Sequence, residues 1–459
     1  MCAGSCRLQE SAKSANHCYN CSYMSGISLR EVWYRVRRPF RHLTIGGDWA
    51  QVLPVDDRHN LRWLWFDGMF ASASDNIYLT YLSVYLLALG ATQAQIGLYS
   101  TFSNLSAALL LLPGAVLVER IGQRKEITLL GGGWVGRIAL LMMALVPLAL
   151  GGHALVWAAI ALSVTRDAFG NLAYPAWTSL GGSIVPMEGR GRYFGSRNFI
   201  MGVGGMLTTL LIGALITRLG QPLGYQAAFV LAFIIGMGAT YSFWRLKDPQ
   251  GGKPIAGPTP LALGALWREM RGQRAFLVLC ASGALWNFFL NVAGPFFTIY
   301  LVQDLHASAS MVGLTSVAGS LFTLAVQHRA GTLSDRWGAR RLQAVSMLCI
   351  PVLPFLWMLA GAAWHIILVN AVSGILWGAF ALASFNYLLE LAPPEQRARY
   401  AAIYQVVVTL SFAAGAAVGS LVVTRWGFLA VFAVSGVGRL LAALLFARFA
   451  KGDRASGLS

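Results

Sequence analysis

The sequence predicts an all-α integral membrane protein, with twelve transmembrane helices arranged as two pseudo-symmetric six-helix bundles. Three observations lead there. The 459-residue chain is 56% hydrophobic and only 12% charged, with mean hydropathy +0.59, too apolar for a soluble protein of this length. Twelve apolar runs each reach the roughly 20 residues that a helix needs to cross a bilayer core. Two unrelated loops also recur in the same order, which means that the whole half-chain is written twice. A membrane barrel is excluded, because the runs are far longer than barrel strands and do not alternate.

Residues 1–61 are polar and basic and read as a tail, with no apolar run before residue 63, so the first membrane helix is expected to serve as the insertion signal. Within the tail, Cys2, Cys6, Cys18 and Cys21 form a C-x3-C-x11-C-x2-C spacing. It reads as a flexible extension, with a four-thiolate zinc site as the alternative. No other metal and no cofactor is expected. The first bundle covers 62–245, with spans at 63–89, 94–118, 127–150, 154–180, 193–218 and 224–245. A linker follows at 246–273, where DPQGGKPIAGPTP leads into a short amphipathic stretch carrying Leu263, Leu266, Trp267 and Met270 on one face. The second bundle covers 274–450, with spans at 275–302, 310–330, 342–360, 365–391, 400–424 and 427–448, and 451–459 form a second tail. Cys280 and Cys349 fall in apolar runs and read as core residues.

A net charge of +17 would point to nucleic acid in a soluble protein, but its distribution follows topology. Of 35 Lys and Arg, 30 fall in the tails, the even-numbered loops and the adjoining helix ends; Arg218 and Arg425 lie on the opposite side, and Arg137, Arg166 and Arg439 lie within helices. By the positive-inside rule both termini are cytoplasmic, with no nucleic-acid partner; the partners expected are lipid, a small-molecule substrate and protons.

The repeated loops are specific. AVLVERIGQRK (115–125) returns 216 residues later as GTLSDRWGARR (331–341), and PMEGRGRY (186–193) returns as PPEQRARY (393–400). In the first pair Glu119, Arg120, Gly122, Arg124 and Lys125 match Asp335, Arg336, Gly338, Arg340 and Arg341. With twelve helices, a duplicated half and a central linker, this loop pattern resembles the major facilitator superfamily over residues 62–450. The second copy fits the family pattern throughout; the first has Ala115 for Gly and Glu119 for Asp. The resemblance implies a cytoplasmic latch that holds the outward-facing form. Glu119 would meet the start of helix 11 near Arg397 and Arg399, and Asp335 the start of helix 5 near Arg190, Arg192 and Arg197. A carboxylate near a helix N-terminus and a guanidinium is stabilised by both.

Ionisable residues inside the bilayer are costly and therefore candidates for function. Asp67 and Asp75 on helix 1 share an arc that also holds Ser74, Tyr78, Tyr81 and Tyr85. Asp67 can equally sit near the cytoplasmic surface as a solvated charge; Asp75 is too deep for that. Arg166 and Asp167 on helix 4 lie at comparable depth, and the Leu162, Arg166, Gly170 spacing resembles the helix-4 motif of proton-coupled members, with Phe169 in place of the usual Gln. Burial favours a protonated acid and an approaching arginine an ionised one, so Asp75 is the leading proton carrier and Arg166 its modulator. Arg166 could instead simply neutralise Asp167. The repeat offset places Asn291 on helix 7 opposite Asp75, one turn from Asn287. The aromatic candidates for the substrate cavity include Tyr78, Tyr81, Tyr85, Trp286 and Trp377, which would favour a lipophilic or cationic guest. Arg137 and Arg439 have no evident partner and read as packing or snorkelling residues.

The function expected is secondary active transport by alternating access, by a monomer in a bacterial cytoplasmic membrane, exporting a small lipophilic or cationic compound against protons. Drug exporters of the family usually carry a Gly-Pro motif in helix 5, whereas FIMGVGGMLTTLLIGALI has none, so proton-linked uptake is the alternative. A non-transporting sensor is a third reading. No catalytic constellation and no Walker loop is present, so neither an enzyme nor an ATP-driven pump is expected.

Overall fold

The computed structural model describes residues 53–249, 273–391 and 397–450. The cysteines of the amino-terminal tail and the amphipathic stretch of the linker lie outside the described residues. A bilayer offers no partners for free backbone groups, so a spanning chain of this kind must satisfy them within helices. The first bundle has α1 (Val55–Ala88), α2 (Gln93–Ile121), α3 (Arg124–Ala149), α4 (Gly152–Ile184), α5 (Arg190–Leu219) and α6 (Leu223–Trp244). The second has α7 (Arg274–Gln303), α8 (Ala309–Trp337), α9 (Ala339–Met358) and α10 (Ala363–Leu391). A final stretch, Arg397–Phe449, is interrupted at Gly427 (φ 78°), which makes it two helices, α11 (397–426) and α12 (428–449). The described residues hold no strand. α1 begins at Val55, several residues before the expected start, because the polar turn DDRHN is already helical.

Nine described stretches are long and apolar enough to span a membrane, the last of them holding both α11 and α12. α1 and α4 complete the twelve; they carry Asp67, Asp75, Arg166 and Asp167.

The duplication is visible in the helix ends. Thr92 Oγ1 accepts from the Gln95 amide to cap α2, and Ser308, 216 residues on, caps α8 through the Met311 amide. At the other end of the same helices Gly122 (φ 74°) and Gly338 (φ 82°) both turn left-handed, a conformation costly for any residue with a Cβ. The glycine of the repeated motif is therefore a helix stop. Arg124 and Arg340 also correspond. The first donates to Asp248, just beyond α6, and the second to the Ala447 carbonyl on α12 (3.3 Å). Each ties its loop to the last helix of its own half.

The halves meet through α2 against α11 and α5 against α8. Their contacts gather at the end of the molecule away from the repeated loops. Gln93 Nε2 donates to Gln303 Oε1 (3.1 Å), Ser420 Oγ to the Ala94 carbonyl (3.2 Å) and Ser310 Oγ to the Gly213 carbonyl (3.1 Å). At the repeated-loop end, neither Glu119 nor Asp335 has an ion-pair partner among the described residues. Cys280 is buried as expected, whereas Cys349 lies exposed on α9.

Candidate functional site: a charged cluster on the central cavity

Helix α1 places Asp75 at the centre of the first bundle, and two arginines converge on one of its oxygens. Arg137 Nη1 lies 2.8 Å from Asp75 Oδ1 and Arg166 Nη2 2.7 Å from the same atom. Arg166 continues to Asp167 Oδ1 (3.2 Å) and lies with its guanidinium carbon 3.8 Å from the centre of the Tyr78 ring. Asp167 also accepts from Tyr78 Oη (3.1 Å), Tyr99 Oη (3.0 Å) and Ser103 Oγ (2.6 Å). Two acids and two arginines thus neutralise one another, which is what makes four charges tolerable inside a membrane protein.

Arg137 reaches this cluster because of how α3 is built. Its backbone passes through a wide π turn over Leu129–Val135, around the glycines of LLGGGWV. A Cβ at Gly131 would sit 2.6 Å from the Phe169 carbonyl, so only glycine lets α3 lie this close to α4. Gly236 on α6 clears the path of the side chain, since a Cβ there would sit 2.5 Å from Arg137 Cδ. Ser74 Oγ accepts from Arg137 (2.9 Å) and donates to the Ala232 carbonyl (2.7 Å). The expectation that Arg137 is a packing residue is thereby corrected. Its sequence signal was an arginine in mid-membrane directly after a glycine tract.

A second pair lies nearer the repeated-loop end. Asp67 is 6% exposed and accepts from Arg197 Nη2 (3.2 Å), whose Nε donates to the Leu64 carbonyl (3.0 Å). Asp67 is therefore no solvated surface charge, and Arg197 is engaged within its own bundle instead of near Asp335. Arg190 bonds the Gly182 and Val185 carbonyls at the end of α4 (2.7 and 2.9 Å), and Arg192, Arg120 and Arg336 are exposed. The side chains of Arg397 and Arg399 lie outside the described residues.

The cluster opens onto the central cavity. Asp67, Asp75, Arg137 and Arg197 line a chamber of about 450 Å3, and Arg166 and Asp167 line an adjoining one of about 420 Å3. A third, of about 470 Å3, faces α7, α8, α9, α10 and α12. Leu79 lines all three and is 72% exposed, so the space is continuous around one face of α1. That face runs Asp67, Ala71, Asp75, Leu79, with Ser72 and Asn76 beside it.

The tyrosine face expected to line the cavity turns inward instead. Tyr81 Oη donates to the Thr209 carbonyl (2.6 Å) and Tyr85 Oη to the Met143 carbonyl (2.5 Å), and both side chains are fully buried. Their hydroxyls satisfy carbonyls of neighbouring helices, so they pack the bundle. Asn287 bonds back to the Gly283 carbonyl of its own helix (2.7 Å), and Asn291 bonds the Phe412 carbonyl (2.8 Å); neither lines the chambers described. Trp286 is buried against Phe380 (ring centres 5.5 Å apart), while Trp377 does line the third chamber. Asn76, Tyr99 and Ser103 were missed because isolated polar residues on apolar helices carry no spacing signal.

Two related bundles of membrane-spanning helices around a central cavity lined by charged groups have the architecture of a transporter. Its sequence confirms the class: the chain matches the family model of the Major Facilitator Superfamily over residues 64–293 and 287–457, and it belongs to that family. It is 24% identical over 386 residues to the multi-drug resistance efflux pump PmrA of Streptococcus pneumoniae serotype 4, covering 82% of this chain and 92% of that protein. It is 32% identical over 158 residues to the tetracenomycin C resistance and export protein of Streptomyces glaucescens, covering 33% of this chain and 29% of that protein. In fold it is similar to a crystal structure of the nucleoside transporter NupG, with TM-score 0.71 and 12% identity over 85% of this chain and 99% of that one.

Proposed function

We propose that this transporter exports a small organic compound in exchange for protons, with Asp75 as the proton-carrying group. The observation that carries the reading is the double arginine contact on Asp75 Oδ1, made where the carboxylate still borders the cavity. With the repeated loops on the cytoplasmic side, as the positive-inside rule places them, the contacts between halves lie on the outer side. Glu119 and Asp335 are then unlatched at the cytoplasmic side, and the form described is inward-facing.

In that form Asp75 is ionised and matched by Arg137 and Arg166, as suits a carrier that has released its proton to the cytoplasm. Rocking of α3 and α4 against α1 draws an arginine away, and a carboxylate left with too little positive charge at low dielectric takes up a proton. Closing the cytoplasmic end would bring Glu119 and Asp335 to their partners in the opposite half. The names of the pneumococcal and Streptomyces relatives support the export direction.

The test uses purified full-length protein in vesicles holding an acidic lumen, with the lumenal pH followed as lipophilic amines, carboxylates and sugars are added. Exchange raises the lumenal pH as one solute class enters, and Asp75→Asn removes the response. Solute that moves together with protons would establish uptake instead. Solute flux with no proton movement would sink the coupling.

A further inference from the structure

The second bundle carries one arginine at mid-membrane depth and no acid to meet it. Between residues 274 and 450 the only acidic residues are Asp304, Asp335, Glu390 and Glu395, all at helix ends or between helices. Arg439 lies in the middle of α12 and is 3% exposed. Its Nη2 donates to the Leu290 carbonyl (3.2 Å), its buried Nε has no partner, and Nη1 has none among the described residues. The guanidinium carbon lies 5.9 Å from the centre of the Phe297 ring, too weak a contact to replace a counter-ion.

The side chain is part of the wall of the 470 Å3 chamber, together with the hydroxyls of Thr298, Ser316 and Ser373. The contrast with the first bundle decides how it reads. There Arg137 and Arg166 share Asp75 and Asp167, and Arg197 has Asp67. Across the continuous cavity those charges cancel, and Arg439 leaves an excess of one positive charge. A buried guanidinium with free donors is costly without an anion, and none of the described residues supplies one.

We propose that Arg439 is the binding site for a carboxylate group of the transported compound, held in the chamber between α7, α8, α9, α10 and α12. The inference rests on the chain being a transporter of organic compounds, and it replaces the cationic guest expected from the aromatic residues. The carboxylate takes a charge-assisted hydrogen bond from the unpartnered Nη1 of the guanidinium, while Trp357 and Trp377 on the same chamber accept the apolar remainder.

The experiment is an equilibrium one on purified full-length protein in detergent, without a pH gradient. Thermal unfolding is followed with benzoate and naphthoate, each beside its neutral amide and its ammonium analogue, in wild type, Arg439→Gln and Arg439→Lys. The carboxylates raise the unfolding temperature of the wild type and their amides do not. The apparent affinity falls at least ten-fold in Arg439→Gln and is partly kept in Arg439→Lys. Without ligand, Arg439→Gln unfolds at the wild-type temperature or above, because it removes an unmatched buried charge. The proposal is overturned if no carboxylate stabilises more than its amide, or if Arg439→Gln binds as wild type does. It is also overturned if ligand-free Arg439→Gln unfolds several degrees lower, which would make the arginine a structural tie to Leu290. Proton exchange in vesicles is read separately, so failure of the Asp75 coupling leaves this result standing, and the reverse holds too.

Discussion

Arg137 and Arg166 come from different helices and donate to the same oxygen of Asp75, at 2.8 and 2.7 Å. Because they share an acceptor, their substitutions are expected to be non-additive. Arg137→Gln or Arg166→Gln alone leaves Asp75 one partner; the double change leaves none, and its loss of stability exceeds the sum of the single losses by about 1 kcal/mol or more. Chemical or thermal unfolding of the four proteins of the cycle checks this, and strict additivity would show that the arginines act independently.

Asp75→Asn is expected to cost stability as well as coupling, because it leaves two arginines facing a neutral group. Removing one partner of a buried pair costs about 3–5 kcal/mol, and the 39% exposure of the Asp75 side chain puts this case below that range. An unchanged unfolding temperature would mean that water already solvates the arginines.

Gly236→Ala tests the path of Arg137. The added methyl would meet Arg137 Cδ at 2.5 Å and Ser74 Oγ at 2.9 Å, and so would displace the guanidinium from Asp75. Transport should fall towards the level of Arg137→Gln, while Gly151→Ala, with open space around it, serves as the silent control. Wild-type transport by Gly236→Ala would show that the arginine contact is dispensable.

Gly122→Ala and Gly338→Ala each force a residue with a Cβ into a left-handed helix stop, at about 1 kcal/mol apiece. The two sites lie in different halves, so the double variant should lose the sum. Denaturant unfolding measures both, and a neutral result at either would mean that its helix end refolds without cost.

Cross-linking reads the conformation. Gln93→Cys with Gln303→Cys, in a background lacking the exposed Cys349 and the tail cysteines Cys2, Cys6, Cys18 and Cys21, is expected to react with a short bismaleimide and to arrest transport, because the native side chains are 3.1 Å apart. Added substrate that favours the opposite form should slow the reaction. A pair that never reacts would place these helix ends apart in the membrane.

The repeat makes the helix count and the helix stops legible in the amino-acid sequence, because loop motifs are short, polar and specific to position. Asp75, Arg166 and Asp167 are legible for a different reason: charge is rare in apolar helices, so each instance stands out. The partners are harder. Arg137 stands in plain view, but its pairing depends on a π turn that shifts its direction relative to a regular helix, and no helical wheel contains that shift. Tyr81 and Tyr85 mislead because a tyrosine hydroxyl is satisfied as well by a buried carbonyl as by a cavity. The cavity face of α1 is an i, i+4 stripe through Asp67, Ala71, Asp75 and Leu79, and its leucine disguises it. Arg439 is visible as a charge; its meaning lies in the absence of any acid at mid-membrane depth in its half, which no local motif displays.

The wide turn in α3 gives the glycine tract a role that depends on its length. One residue more or fewer rotates everything beyond it by about 100° on a helix. The wide turn already takes up one such residue, so deleting a single glycine from 131–133 would let α3 close into regular turns and still leave residue 137 on the face that meets Asp75. The tract holds a residue of slack, so this transporter should tolerate one missing glycine within it more readily than one missing residue in the regular turns that follow.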